Sequence, residues 1–251
     1  MSERVFERAT LGAGGREHLL AFADDEHLMG QQHAEWIGVA PFLEEDLAFC
    51  SIAQDELGHA ATLYELLDAD VDALAFGRPA AAYRSCHLVE RPCADWADAL
   101  VRHWLYDVAE DLRWDALAES RIAAVAAVVG RARREEVYHR RHADALVARM
   151  LAGGDAGQRV AAAVERLLPS ADAIWEPVAG EAEAVGDGTV GASSVELQRR
   201  WRATVETTLG PIEWAALDRP DQRSRTKRSE HFPALHARIN EVITLDPAAH
   251  W

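Results

Sequence analysis

Two copies of one short pattern carry the chemistry that this sequence predicts. Each copy is an acidic residue followed by Glu-x-x-His, and the glutamates and histidines are Glu56, His59, Glu136 and His139. On an α-helix, positions i and i+3 lie on the same face, so each glutamate projects beside its histidine. Two such helices facing each other bring two carboxylates and two imidazoles into one small volume. Carboxylate oxygen and imidazole nitrogen suit iron or manganese, and no thiolate is positioned to select zinc.

The residues around the first copy favour its burial. Glu56 lies between apolar positions such as Ile52 and Leu63, where an unpaired charge would be costly. A bound metal is the simplest partner for such a carboxylate. The surroundings of Glu136 give less support, because Arg133 lies close to the same helical face. A solvated pair on a helix surface is the alternative for a single motif, and the duplication favours the metal site.

A two-metal carboxylate site takes one further acid from each of two other helices. On the first predicted helix we expect Glu35 to supply it, because Leu28 precedes it on the same face and Val39 follows it. The three acids of residues 24–26 lie a few turns earlier. We interpret them as solvated or as lying outside the ligand set.

Three acids compete for the corresponding place on the third predicted helix, namely Asp107, Glu110 and Asp111. Asp107 follows Trp104 by three residues and Leu100 by seven, which places it on an apolar face. Position favours Asp107 and leaves the other two open as alternatives.

Asp55 and Glu135 each stand immediately before a candidate ligand. An acid in such a position can accept the outer N–H of a ligating histidine and fix which ring nitrogen faces the metal. The sequence is equally compatible with both being surface acids of an acid-rich protein.

Helical patterns dominate the chain, and no run of alternating β-branched residues predicts a sheet. Four long helices are expected at about residues 16–37, 42–67, 95–129 and 131–151, with Gly130 separating the last two. The connection from Asp68 to Pro92 reads as long and irregular. This pattern predicts an all-α, ferritin-like four-helix bundle with additional C-terminal helices.

We expect a single ferritin-like domain over residues 1–251, with a core bundle at about 16–151 and a C-terminal helical extension at about 155–251. Further helices are expected at about 158–185, interrupted or bent at Pro169 and Pro177, at about 194–209 and around Asn240.

Composition excludes several classes of function. The 26 Lys+Arg against 42 Asp+Glu give a net charge of −16, which argues against binding to nucleic acid. The longest apolar run, residues 122–129, is far shorter than the roughly 20 residues of a membrane-spanning helix. The three cysteines form no Cys-x-x-Cys pair, and no secretory signal opens the chain. We therefore expect a soluble, cytoplasmic protein.

At these residues the sequence resembles the ferritin-like subunits of phenylacetyl-CoA epoxidase, also called phenylacetate-CoA oxygenase. The resemblance rests on residues 32–38, 54–59, 104–107 and 135–139 and on the closing stretch from Ser229 to Trp251. In length and C-terminal end the chain looks most like the smaller, non-catalytic subunit, in whose familiar members the second-helix glutamate and histidine are replaced. This chain departs from that pattern because Glu56 and His59 are both present.

By resemblance to the catalytic subunit, six residues would be iron ligands: Glu35, Glu56, His59, Asp107, Glu136 and His139. The choice of Asp107 over its neighbours leans on the resemblance. The implied chemistry is activation of O2 at two iron ions, with manganese as the alternative metal, and transfer of one oxygen atom to an aromatic acyl-CoA. Electrons would come from a separate flavin and iron–sulfur reductase, because this sequence has neither a cysteine cluster nor a dinucleotide-binding fingerprint.

The densest basic run in the C-terminal half of the chain spans residues 223–228. Its four cations are Arg223, Arg225, Lys227 and Arg228. They are candidates for a contact with CoA phosphates or with an acidic partner, and a solvated loop is the alternative.

Three functions remain open at this point. The first is a metal-bearing oxygenase component that assembles with itself or with a homologous ferritin-like subunit. The second is a non-catalytic subunit that stabilises such a homologue. The third, a stand-alone rubrerythrin-like di-iron oxidase, is disfavoured because no rubredoxin-like cysteine pair is present.

Overall fold

The computed structural model describes residues 10–68 and 70–246. The remaining residues, which include the first part of the predicted domain and the end of the closing stretch at Trp251, lie outside the described part. None of the described residues forms a β-strand. The helices are α1 (Ala13–Ala34), α2 (Leu43–Leu67), α3 (Val71–Ala75), α4 (His87–Glu90), α5 (Trp96–Ala118), α6 (Ala123–Leu151), α7 (Gly154–Asp172), α8 (Glu181–Gly186), α9 (Ser194–Leu209), α10 (Phe232–Ile239) and α11 (Glu241–Leu245).

The four long helices α1, α2, α5 and α6 form a bundle in which neighbours run antiparallel. On α1 and α2, His33 contacts Glu56 while Asp24 contacts Tyr64, so residue numbers rise on one helix as they fall on the other. α2 and α6 are also antiparallel. Asp55 contacts His139, whereas His59, four residues later on α2, contacts Glu135, four residues earlier on α6. The all-α, ferritin-like fold predicted from the sequence is confirmed.

The long connection between α2 and α5 is packed against α1 rather than exposed. Asp24 accepts hydrogen bonds from the hydroxyl of Tyr64 at 2.6 Å and from the backbone N–H of Arg84 at 2.6 Å, and it pairs with Arg78. Asp25 accepts from the backbone N–H of Cys86 at 2.7 Å. Both acids are fully buried and therefore not solvated. Neither belongs to a candidate metal group of the described residues, which agrees with the alternative that they lie outside the ligand set.

The break between α5 and α6 lies eight to eleven residues before the predicted position. The chain turns at residues 119–122, and Gly130 lies inside α6. The turn is held by a distant segment: the backbone N–H of Arg121 donates to the carbonyl of Gly188 at 2.8 Å, and the Ser120 hydroxyl donates to the same oxygen at 3.1 Å. A local sequence pattern contains no sign of this contact.

The C-terminal helices cover the outer side of α5. Both α7 and α9 pack on it, and the indole N–H of Trp201 donates to the Leu105 carbonyl at 3.0 Å. Pro169 lies within α7 without ending it, whereas the predicted helix over 158–185 is divided into α7, a short 3-10 turn at Ala173–Trp175 and α8.

No helix in the described part of the chain combines the length and the apolar character needed to cross a membrane.

Two glycines offer a matched test of the packing of the bundle. A Cβ atom at Gly30 of α1 would lie 2.8 Å from Cγ of Leu57 and 3.1 Å from the Ala53 carbonyl oxygen on α2. At Gly130 of α6 the one neighbour within 4 Å is the far end of Arg134, at 3.8 Å. We expect Gly30→Ala to lower the free energy of unfolding by about 1–2 kcal/mol, because overpacking outweighs the gain in helix propensity.

The control, Gly130→Ala, should raise the free energy of unfolding by about 1 kcal/mol, because alanine favours the helix and meets no obstacle. Urea denaturation of both variants measures the difference. A Gly30→Ala protein as stable as Gly130→Ala would contradict the close approach of α1 and α2.

Candidate metal centre

Each of the four bundle helices places one glutamate at the centre of the bundle, beside two histidines. The glutamates are Glu26 of α1, Glu56 of α2, Glu110 of α5 and Glu136 of α6, and the histidines are His59 and His139. All four glutamates are completely buried, and the histidines are nearly so. The Glu-x-x-His spacing puts each glutamate and histidine of α2 and α6 on the inner face of its helix.

The imidazole of His59 lies among three of these carboxylates. Its Nδ1 atom is 3.3 Å from Oε2 of Glu26, 3.3 Å from Oε1 of Glu110 and 3.6 Å from Oε1 of Glu136. The Nδ1 atom of His139 is 3.1 Å from the same oxygen of Glu136. Both inner ring nitrogens therefore face one shared space.

Three overlapping groups of side chains have ligand atoms within 4.8 Å of one another. They are Glu26 with His59 and Glu110, Glu110 with Glu136 and His139, and Glu56 with Asp107 and Glu110. Glu110 belongs to all three, so the α5 carboxylate lies where the groups meet.

Several oxygens of this cluster are buried without a hydrogen-bond donor. They are Oε1 of Glu56, Oε2 of Glu110, both carboxylate oxygens of Glu136 and both of Asp107. A buried acceptor without a donor is costly, and a cation is the partner that relieves several of them together. The donor set of carboxylates and two imidazoles fits iron or manganese in a two-metal carboxylate site.

The carboxylates raise one another's affinity for protons. Burial, together with the charge of Glu110, raises the pKa of Glu26, Glu56 and Glu136 well above the usual glutamate value. Burial acts in the same direction on Glu110, but its hydrogen bonds with His59 and Glu26 outweigh burial and lower its pKa.

The pKa values of the two histidines are also raised, although burial opposes protonation of an imidazole. Burial lowers the pKa of His59, but hydrogen bonds with Glu110 and Glu26 raise it to about 11. Burial likewise opposes protonation of His139, whose contact with Asp55 and neighbouring acids raise its pKa to about 9. Protons therefore take the place of metal cations when the cluster holds none.

The outer nitrogen of each histidine contacts an acid on the opposite motif helix. Nε2 of His59 lies 3.0 Å from Oε2 of Glu135, and Nε2 of His139 lies 3.3 Å from Oδ2 of Asp55. The contact with His139 lowers the pKa of Asp55. These contacts join α2 to α6, and the role of Asp55 and Glu135 in fixing the histidine tautomers stays a prediction.

Three further side chains hold cluster carboxylates in place. The hydroxyl of Tyr106 donates to Oε1 of Glu26 at 2.6 Å, and the indole N–H of Trp114 donates to Oε1 of Glu110 at 3.1 Å. Nδ1 of His33 lies 2.8 Å from Oε2 of Glu56. Sequence spacing alone does not select Tyr106 and His33, because each acts through a contact between helices. Trp114 follows Glu110 by one turn of α5.

Two acids of α5, which is the third helix predicted from the sequence, reach the cluster. Asp107 is completely buried, lies 3.0 Å from Nδ1 of His103 and belongs to the group with Glu56 and Glu110. Asp111 belongs to none of the three groups found among the described residues. The geometry therefore adds Glu110 to the site and keeps Asp107 beside it as a predicted ligand.

The structure does not bring Glu35 into the cluster. Glu35 follows the last residue of α1, its side chain is 36% exposed, and it pairs with Arg238. It lies nine residues beyond Glu26, which at 100° per residue is the opposite face of a helix and about 13 Å further along its axis. Glu26 is the first-helix carboxylate of the cluster instead.

No fixed spacing in the sequence identifies Glu26 and Glu110, because their intervals to the following motif differ and Asp107, 29 residues before Glu136, comes nearer to the first interval than Glu110 does. Glu26 precedes Glu56 by 30 residues, and Glu110 precedes Glu136 by 26 residues. Each Glu-x-x-His helix is thus paired with an acid on the antiparallel helix before it.

Two of the four cations in the basic run at residues 223–228 are held inside the protein by ion pairs, and the other two are exposed. Arg225 is buried and donates to Oδ2 of Asp25 at 2.7 Å, and Arg228 pairs with Glu90. Residues 223–225 all adopt positive φ angles, which non-glycine residues rarely take. The expected contact with CoA or a partner does not fit the positions of Arg225 and Arg228, and for the exposed Arg223 and Lys227 it stays a prediction.

A groove of about 280 Å³ lies between α2 and α6 on the outer side of the cluster. It is lined by Ala48, Ser51, Ile52, Asp55, Glu135, Tyr138, His139 and His142. His139 lies in both the groove wall and the cluster, so the groove ends at a residue of the cluster.

Comparison with known proteins gives two matches. The model of a family described as phenylacetic acid catabolic protein matches residues 14–251, which include every residue of the cluster. The chain is also similar to a protein of Escherichia coli (strain K12) that is named as one of the subunits of 1,2-phenylacetyl-CoA epoxidase. The two are 28% identical over 252 residues, which cover 93% of this chain and 98% of that protein.

Glu26 and Glu35 provide a matched pair for testing the ligand set. We expect Glu26→Ala to weaken iron binding by about tenfold or more, because it removes a carboxylate from the group with His59 and Glu110. Glu35→Ala should leave iron binding unchanged, since Glu35 faces Arg238. Iron bound per chain after anaerobic loading, measured by inductively coupled plasma mass spectrometry, distinguishes the two. Loss of iron in Glu35→Ala with retention in Glu26→Ala would refute this arrangement.

Metal binding should release protons and strengthen as the pH rises. Glu26, Glu56 and Glu136 have raised pKa values, and so do His59 and His139, so these groups hold protons that an incoming metal must displace. We expect the affinity for Mn²⁺ to increase from about pH 6 to pH 8. Calorimetric titration in two buffers of different ionisation enthalpy counts the released protons. Binding that releases none would contradict the protonated state of the metal-free cluster.

Proposed function

Because the chain belongs to the phenylacetic acid catabolic protein family, we propose that it is a component of an oxygenase of the phenylacetyl-CoA epoxidase type. In this proposal it binds a carboxylate-bridged di-iron centre and takes part in epoxidation of the ring of an aromatic acyl-CoA. The observation that carries the proposal is the single buried cluster of four glutamates and two histidines, contributed by all four bundle helices.

The overlapping groups suggest how two ions would be held. Glu26, His59 and Glu110 would hold one ion, and Glu110, Glu136 and His139 would hold the other, with Glu110 shared. Two iron ions held in this way supply reductive activation of O2 for transfer of one oxygen atom.

The protein's own side chains would provide a rigid and dry setting. Tyr106 and Trp114 each bind one oxygen of a cluster carboxylate, so Glu26 and Glu110 have little freedom to turn away. Burial of the glutamates keeps bulk water from the reacting atoms. The groove beside His139 is the path by which an aromatic ring would approach.

The proposal requires other proteins. The chain has three cysteines, all of them free, and none belongs to a candidate metal group of the described residues. Electrons would therefore come from a separate flavin and iron–sulfur reductase. The similar Escherichia coli protein is named a subunit, which favours assembly of this chain with a homologous ferritin-like subunit over the function of a stand-alone rubrerythrin-like oxidase.

A non-catalytic subunit is the second candidate. It is favoured by the resemblance of the chain, in length and C-terminal end, to the smaller, non-catalytic subunit, and in that case the cluster would serve stability alone. The two candidates differ in whether the cluster is needed for turnover when the complex is intact.

The deciding experiment uses Glu110→Ala in the assembled complex with its ferritin-like partner and reductase. We expect the wild-type chain to bind about two irons and the variant complex to assemble at the same size but lose epoxidation of phenylacetyl-CoA. Asp111→Asn, an acid next to Glu110 and outside the cluster, is the control and should retain activity. A variant complex that lacks iron in this chain and still turns over at the wild-type rate would assign the chain to the scaffold function.

A further inference from the structure

A pocket of about 290 Å³ lies between α4, the end of α7 and the loop that precedes α10. We call it the α4 pocket. Its lining includes three cations, Arg91, Lys227 and Arg228, against one acid, Glu230. In a chain with a net charge of −16, this is a local reversal of charge. None of the described residues that line it belongs to α2 or α6, so the α4 pocket is separate from the groove beside His139.

Two of the three cations have side chains that the protein does not pair. The backbone carbonyls of Arg91 and Lys227 accept hydrogen bonds from Arg102 and His87, respectively. Neither the guanidinium of Arg91 nor the ammonium of Lys227 has a hydrogen bond or an ion pair within residues 10–68 and 70–246. Arg91 is half-buried, so its charge has lost part of its hydration without gaining a partner. A bound anion would remove that cost.

The acids near the α4 pocket leave these two charges uncompensated. Glu90 is completely buried and pairs with Arg228. Glu230 lies in the wall, but its side chain is 89% exposed and its nearest cationic atom is Nε2 of His231, at 3.9 Å. The pocket therefore keeps positive charge that only an added anion can neutralise.

Contacts with α4 fix the loop that carries Lys227. The ring Nε2 of His87 lies 2.8 Å from the Lys227 carbonyl oxygen, and the backbone N–H of Ser229 donates to Oε2 of Glu90 at 2.7 Å. The Ser229 hydroxyl makes no hydrogen bond within the described part of the chain. Because Arg91 directly follows α4, the two unpaired cations lie on segments that are already joined, and an anion does not have to order them.

We infer that the α4 pocket binds a phosphate group, with Arg91 and Lys227 as its positive contacts and the Ser229 hydroxyl as a further donor. The planar guanidinium binds two oxygens of one anion, while the ammonium adds a compact charge. A phosphate with two negative charges and several acceptor oxygens uses both cations and the hydroxyl. The phosphate is either a free ion or part of a nucleotide. Its binding requires no metal, so the inference does not rest on the proposed function.

The first test is calorimetric titration of the full-length, chelator-treated protein with inorganic phosphate. Removal of metal excludes binding of phosphate to iron, and a constant ionic strength excludes general screening. At about pH 8, where phosphate carries two charges, we expect saturable binding of one phosphate per chain. If neither inorganic phosphate nor a nucleotide phosphate gives saturable binding, the inference is overturned, whether or not the chain binds iron.

The second test places the phosphate in the α4 pocket. Arg91→Gln and Lys227→Gln should each weaken binding by about tenfold, because each removes a charge-assisted contact. Lys227→Arg keeps the charge and should retain most of the affinity. Arg134→Gln is the matched control, since Arg134 is an exposed arginine of α6 outside the pocket. Urea denaturation verifies that the four variants are folded.

The inference fails if Arg91→Gln and Lys227→Gln bind phosphate as the wild type does. It also fails if Arg134→Gln loses as much affinity as they do, because the response would then depend on net charge alone.

A comparison of two probes identifies the source of the phosphate. Adenosine 3′,5′-bisphosphate that binds about tenfold tighter than inorganic phosphate would support a nucleotide as the ligand, and equal affinities would support the free ion. In both cases Lys227→Gln must weaken the binding, and adenosine without phosphate must not bind. Nucleotide binding that persists unchanged in Lys227→Gln would overturn the assignment to the α4 pocket.

Discussion

Mutual repulsion among four buried glutamates is the constraint on which the rest of this bundle depends. A low-dielectric interior strengthens every interaction between charges, and the carboxylates remain there only when positive charge lies among them. His59 and His139 supply part of that charge from the two motif helices, and protons or metal ions supply the rest. The antiparallel arrangement serves this need, because it brings one glutamate from each helix to the same level.

A second set of buried charges fixes the position of α1. Asp25 is held by Arg113 of α5 at 2.8 Å and by Arg225 of the C-terminal loop at 2.7 Å, one residue from Glu26. A shift of α1 along its axis would break both ion pairs of Asp25 and would also move Glu26 out of the cluster. The C-terminal part of the chain thus contributes to the metal centre without touching it.

The sequence predicted those features that depend on local spacing. The pattern of four long helices predicted the fold, and the duplicated Glu-x-x-His motif predicted four residues of the cluster. Glu35 was selected over Glu26 because apolar neighbours suggested an inward face, but α1 ends at Ala34. Asp24 and Asp25 looked solvated because their arginine partners are far along the chain, 54 positions away for Asp24 and 88 and 200 positions away for Asp25. Gly130 was predicted to separate the two helices because glycine disfavours helices locally. The actual turn depends on a hydrogen bond from Arg121 to the distant carbonyl of Gly188, which no local pattern shows.

The pair between Asp25 and Arg225 joins positions 200 residues apart, and this separation affects how the protein reaches its native state. During synthesis, α1 leaves the ribosome long before Arg225 exists, and contacts of such long range form slowly. Until then Asp25 must remain solvated or be neutralised by another group. The centre can therefore take its final form only after almost the whole chain has been translated, so a nascent chain offers iron a set of loose carboxylates rather than a finished site.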